Sequence, residues 1–125
     1  MQYLKYVDGL DTLLKKLPEE YQYWHKFGTV LELKFSKEFD YEEEFDYVNN
    51  IKMILASYDE KYKIRMKLKN VYGLVSFDVM NGFFSGFQIE YLKGNEKFCR
   101  YRLSSFEQDI YFEIYCQKIS VELIE

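Results

Sequence analysis

Ile51-Lys52-Met53-Ile54-Leu55-Ala56-Ser57-Tyr58-Asp59-Glu60-Lys61-Tyr62-Lys63-Ile64-Arg65-Met66-Lys67-Leu68-Lys69 decides the fold class. In its second arm Tyr62, Ile64, Met66 and Leu68 alternate strictly with Lys61, Lys63, Arg65, Lys67 and Lys69. Successive side chains of a strand point to opposite faces, so a period of two makes one face apolar and the other entirely basic. Residues 51–57 supply the first arm and Tyr58-Asp59-Glu60 the turn, giving a β-hairpin packed on one side and wet on the other. The basic phase is expected to be a solvated face that also discourages edge pairing, in preference to a phosphate-binding stripe.

Towards the N-terminus, Leu31, Leu33 and Phe35 alternate with Glu32 and Lys34, predicting a strand from Thr29. Residues 37–47 have no clean period and read as a loop, with room for a short helix at Glu42, Glu43 and Glu44. Further upstream, Leu10, Leu13, Leu14 and Leu17 fall at i, i+3, i+4 and i+7, predicting one amphipathic helix over about residues 8–17. Asp8 is placed to cap it, Lys15 and Lys16 suit its C-terminal end, and Pro18 stops it because proline has no N–H to continue the ladder. A short second turn is expected at residues 19–24.

Towards the C-terminus, Asn70 with Gly73, Asn81-Gly82, Lys93-Gly94-Asn95 and residues 104–108 mark turns. Between them lie residues 74–79 and the alternations Phe87, Ile89, Tyr91 and Cys99, Tyr101, Leu103. Ile110, Phe112, Ile114 and Cys116 alternate next, and Ile119, Val121 and Leu123 resume after a one-residue change of phase at Gln117-Lys118. Such a change implies a tight turn or bulge between two strands. The sum is a mainly β (α+β) chain: an antiparallel β-sandwich or strongly curved sheet of about seven to eight strands behind one N-terminal helix, in a single domain spanning residues 1–125.

Composition agrees, since the chain is 48% hydrophobic, 30% charged and 20% aromatic, and aromatic side chains suit half-buried pleated surfaces. The net charge of −4 is unevenly placed: residues 1–60 carry 13 acids against 7 bases, and residues 61–125 carry 8 against 10. The excess concentrates in Phe39, Asp40, Tyr41, Glu42, Glu43, Glu44, Phe45 and Asp46, which together form the candidate partner-binding segment. Such a surface repels nucleic acid and anionic membranes and attracts a basic partner. With no basic stretch leading into an apolar run at the start and no long apolar segment, the expected location is the cytoplasm. Cys99 and Cys116 then read as small core residues.

No catalytic, cofactor-binding or metal-binding residues are expected. His25 is the only histidine, the two cysteines lack close metal-ligand spacing, and no nucleophile elbow, P-loop or dinucleotide fingerprint occurs. A dyad of His25 with either cysteine is disfavoured because both cysteines fall on apolar strand phases, where a thiol stays protonated. The glutamates 42–44 lack the spacing of a calcium loop. RNA binding on a sheet face is opposed by the acidic balance and the lack of an RNP-type stretch. The alternative to protein binding is a small ligand held in an aromatic cavity lined by Tyr62, Met66, Phe87, Tyr101 and Phe112.

Two segments carry a family likeness: Asn70-Val71-Tyr72-Gly73-Leu74 leading to Gly82-Phe83-Phe84-Ser85-Gly86-Phe87-Gln88-Ile89, and Ile110-Tyr111-Phe112-Glu113-Ile114-Tyr115-Cys116-Gln117-Lys118-Ile119-Ser120-Val121. Together they resemble the immunity-protein-50 family of bacterial polymorphic toxin systems. Trp24-His25-Lys26-Phe27-Gly28-Thr29-Val30 is similar to that family's entry into its first strand, with Lys26 and Gly28 at its acidic positions. The resemblance spans roughly residues 20–123 and implies a cytoplasmic antitoxin that binds a cognate toxin and blocks it without doing chemistry; the acidic, aromatic segment suits a basic target such as a nuclease toxin.

Overall fold

The computed structural model describes residues 7–41, 46–80, 87–94, 99–105 and 112–125, without the side chains of Phe77 and Asp78. In chain order these form α1 (Leu10–Lys16), 3-10 turns at Glu19–Tyr21 and Trp24–Lys26, β1 (Thr29–Asp40), β2 (Asp46–Ala56), β3 (Lys63–Lys69), β4 (Tyr72–Val75) and a 3-10 turn at Phe77–Met80. Then follow β5 (Phe87–Tyr91), β6 (Tyr101–Ser105), β7 (Phe112–Cys116) and β8 (Lys118–Ile124). The strands make two antiparallel sheets, the first in the order β1-β2-β3-β8 and the second in the order β4-β7-β6-β5. This is the sandwich that the alternations predict.

The deciding hairpin is β2–β3, with Ile51 opposite Leu68, Met53 opposite Met66 and Leu55 opposite Ile64. All six side chains are buried, and burying each contributes roughly 1.5–3 kcal/mol. Its turn needs Glu60 in the left-handed region, at φ 62°. Asp59 holds that turn by accepting from Ser57 Oγ at 2.7 Å, from the Lys61 N–H at 3.2 Å and from the Tyr21 hydroxyl.

The phase change at Gln117-Lys118 is where the chain passes from one sheet to the other. β7 belongs to the second sheet and β8 to the first, and Gln117 alone separates them. Its N–H donates to the Lys69 carbonyl at 3.0 Å, beside the matching passage of the neighbouring strand from β3 to β4 through Asn70, at φ 56°. The ribbon β3/β8 thus continues round a corner as β4/β7. Three residues apart, Cys116 and Ile119 would face opposite ways in a straight strand; the corner lets both enter one core.

Three local expectations are corrected. Asp8 does not cap α1: the helix begins after Gly9, which has φ 83° and no side-chain cap bond, and it covers Leu10–Lys16 instead of 8–17. Asp8 instead pairs with β8, its N–H donating to Ile119 O at 3.0 Å and its carbonyl accepting from the Val121 N–H at 2.9 Å. That bond occupies part of the β8 edge and sets Leu10, Leu13 and Leu17 into the core. The single turn expected at 19–24 is two 3-10 turns, and the second buries Trp24 against Phe87. The strand expected over 74–79 is β4 from Tyr72 to Val75, which ends opposite Phe112; the 3-10 turn after it delivers Val79 to the core. Asn81-Gly82 and part of the 104–108 turn lie outside the described residues, while Ser104 and Ser105 belong to β6.

Candidate functional site

β1 and β2 pair from Thr29 opposite Ala56 out to Asp40 opposite Asp46, whereas β3 pairs with β2 only from Ala56 to Ile51. Among the described residues no third strand pairs with the hairpin beyond Ile51, because β3 turns the corner into β4. Residues 36–40 and 46–50 therefore form a two-stranded arm. The loop expected over 37–47 is corrected accordingly: Lys37 to Asp40 lie in β1, Asp46 and Tyr47 lie in β2, and Tyr41 starts the turn. Glu42, Glu43, Glu44 and Phe45, including the short helix considered for them, lie outside the described residues.

The segment looks aperiodic because the buried phase changes along the arm. Leu33 packs against the core, but Phe35, Phe39 and Tyr47, on the same face, are 62%, 37% and 66% exposed. On the opposite face Asp40 and Val48 are buried, at 5% and 6%. The arm curls towards the outer side of the first sheet, and Lys69 at the end of β3 places its ammonium 3.3 Å from Asp40 Oδ2. This is a charge contact without hydrogen-bond alignment. Asn50 Nδ2 donates to Glu38 Oε2 at 2.8 Å on the same side.

The curl leaves aromatic rings on the convex face. Phe39 lies 4.7 Å from Tyr41 and 5.4 Å from Tyr47, both edge-on, and Tyr41 is 74% exposed. Edge-to-face rings hold one another in place, so the cluster presents a preorganised apolar surface. Where β4 diverges from the arm a cleft of about 750 Å³ opens, lined by Phe35, Lys37, Asn49, Val71, Tyr72 and Leu74 among others. At its base the Val71 N–H donates to Asn49 O at 2.8 Å. Tyr72 stacks on Tyr115 at 5.3 Å, and Tyr72 and Leu74 are both exposed.

Of the sequence-predicted residues, Phe39 and Tyr41 are brought together on this surface and Asp46 is exposed beside them, bonded through Oδ1 to the Tyr47 N–H at 2.7 Å. Asp40 is turned away and serves the arm's attachment to β3. Tyr47, Phe35, Tyr72 and Leu74 are not among the partner-binding residues that the sequence suggests. The register was the missing signal for Tyr47, which lies directly opposite Phe39.

The other candidates take different places. Met66, Phe87, Tyr101 and Phe112 are buried in the core, with Phe87 and Phe112 at 6.2 Å, and Tyr62 is half-buried against Tyr21 at 4.7 Å. Burial pushes the Tyr101 hydroxyl up to about 12. His25 is exposed, 5.5 Å from the Tyr23 ring. Cys99 and Cys116 are free and buried, and desolvation raises the Cys116 thiol well above its ordinary value, which disfavours the thiolate. Among the described residues no group of three or more His, Cys, Asp or Glu is placed to hold a metal ion. The basic phase of β3 is interleaved with acids: Arg65 pairs with Glu122 at 2.6 Å and Lys52 of β2 with Glu32 at 3.9 Å. Among the described residues no helix is long and apolar enough to cross a membrane.

The molecule is a two-sheet antiparallel sandwich with an aromatic arm and an open cleft at one corner. Set against known proteins, the chain matches no family model, no curated protein and no solved structure.

Proposed function

We propose that this chain is a non-catalytic, cytoplasmic immunity protein that binds a cognate bacterial toxin domain and neutralises it by covering its working surface. The observation that carries the reading is the exposed cluster of Phe39, Tyr41 and Tyr47 on an arm that extends past its supporting strand. Large apolar groups left in water on a folded surface mark interaction sites, and aromatic residues dominate the energetics of protein interfaces. The acidic run of residues 38–46 carries the steering charge, which favours a basic partner such as a nuclease and speeds its encounter. The resemblance to the immunity-protein-50 family points the same way.

The small-ligand alternative draws on the cleft beside β4, since the aromatic residues first considered for it fill the core. The cleft is open beside the arm, which suits a protruding partner element better than an enclosed small molecule.

The test screens bacterial toxin domains, basic nucleases among them, for capture by the wild-type chain and by a Phe39→Ala/Tyr41→Ala/Tyr47→Ala variant. The three side chains are exposed, so the variant keeps its fold by circular dichroism, while affinity falls at least a hundredfold, or about 2.7 kcal/mol. Unchanged affinity in the folded variant refutes the arm as the binding surface. Replacing Glu42, Glu43 and Glu44 with lysine slows association, most clearly at low salt.

A further inference from the structure

β1 is an edge strand of twelve residues, and among the described residues its only strand neighbour is β2. An open edge offers a row of backbone donors and acceptors to another strand. The 3-10 turn at Phe77–Met80 lies close to β1 without pairing with it as a strand, and its Val79 is buried in the core. A bulge at Val30/Glu32 interrupts the start of the strand, and from Glu32 to Asp40 the pairing with β2 is regular.

We infer that this edge pairs antiparallel with β1 of a second copy of the chain, about a two-fold axis at Ser36, joining two first sheets into one eight-stranded sheet. Residues directly opposite in an antiparallel pair share a face, so the axis must pass through a residue, and four positions near the strand's middle are available. An axis at Lys34 or Lys37 sets that lysine against itself, and one at Phe35 sets Glu32 against Glu38 twice. The axis at Ser36 sets Lys34 against Glu38 twice, Leu33 against Phe39 and the exposed Phe35 against the stem of Lys37. Its paired stretch runs from Glu32 to Asp40, the whole regular part of β1. The two acids that then face each other at its ends already have cations, Lys52 beside Glu32 and Lys69 beside Asp40. Charge complementarity thus selects one register, and that register uses the strand from the bulge to its end.

The test is sedimentation and light scattering of the purified chain from about 1 to 200 µM, with circular dichroism on every variant. The wild type associates to a dimer. Glu38→Lys sets lysine against lysine and weakens the dimer at least tenfold, and Lys34→Glu/Glu38→Lys restores it. Ser36→Cys cross-links to itself under mild oxidation and Lys34→Cys does not, a readout that holds even where a Glu38 variant fails to fold; the native cysteines are buried and do not compete. A wild type monomeric over the whole range, a double charge swap that stays as weak as the single one, or equal cross-linking of the two cysteine variants overturns the inference. None of these outcomes bears on toxin capture, so the two readings fail separately.

Discussion

Replacing Lys69 with methionine tests whether the arm is held by the buried charge contact of Asp40 to β3. The Asp40 side chain is 3% exposed, and its Oδ2 lies 3.3 Å from the Lys69 ammonium, whose side chain is 31% exposed. Removing one partner of a fully buried pair costs about 3–5 kcal/mol because the other charge is stranded away from water. Lys69 is nearly one-third exposed, so water reaches its end of the contact and the expected cost drops to about 2 kcal/mol. For a domain of this size that lowers the melting temperature by roughly 6–10 °C. Lys69→Met/Asp40→Asn removes both charges and should recover most of the loss, since a neutral amide beside an apolar stem strands no ion. Thermal and urea unfolding of both single variants and the double variant, closed as a double-mutant cycle, measure the coupling. A melting temperature for Lys69→Met within 2 °C of wild type, or a double variant that simply adds the two single losses, would refute a structural role for the contact.

Gly9→Ala should cost about 2–4 kcal/mol in urea unfolding: φ is 83°, a region costly for a residue with Cβ, and the added carbon would collide with the Val121 carbonyl oxygen across the α1–β8 junction. An alanine variant as stable as wild type would mean that Asp8 and β8 are not joined as described. Hydrogen bonds from Tyr21 and then from Ser57 lower Asp59 from 3.8 to about 2, while the bond to Asp59 raises Tyr21 from 10.0 to about 12. The Asp59 contribution to stability is therefore complete above about pH 4 and lost as pH falls towards 2; the Tyr21 contribution is complete below pH 10 and lost as pH rises towards 12. Carboxyl NMR titration of Tyr21→Phe should show Asp59 moving back towards 3.8, and an unmoved midpoint would remove Tyr21 as the chief cause.

The strands were legible wherever one phase stayed buried from end to end. β3 alternates Ile64, Met66 and Leu68 inward against Lys63, Arg65, Lys67 and Lys69, and its bounds lie within the predicted arm. The β7–β8 junction was legible as a slip of phase, though not as a passage between sheets, because local alternation carries no information on which sheet a strand joins. The arm was illegible for a related reason. Phe35 and Phe39 keep the phase of Leu33, but the core that gives the phase its meaning ends where β3 leaves β2, an event set by Asn70 and Gln117 far along the chain. Asp40 looked like part of an acidic surface for the same reason, since only the curl of the arm brings Lys69 to it.

The two proposed uses of β1 meet at Phe39, and the geometry fixes how they combine. Partner capture uses the aromatic cluster on the arm, and self-pairing uses the free backbone edge, the flanking charges of Lys34 and Glu38 and the contact of Leu33 with Phe39. In the register centred on Ser36 the two strands run antiparallel, so the Asp40 ends lie eight residues apart along the sheet, about 27 Å at roughly 3.4 Å per residue. Both aromatic clusters lie on the same side of the joined sheet but at opposite ends of the paired stretch. A separation approaching the width of a small domain, about 30 Å, gives each arm room for its own partner and does not let both close on one compact target. Taken together, the two proposals describe two chains with two partner domains, coupled through Phe39: dissociating the β1 pair reduces the assembly to one of each and frees the side of Phe39 that faces Leu33 of the second copy.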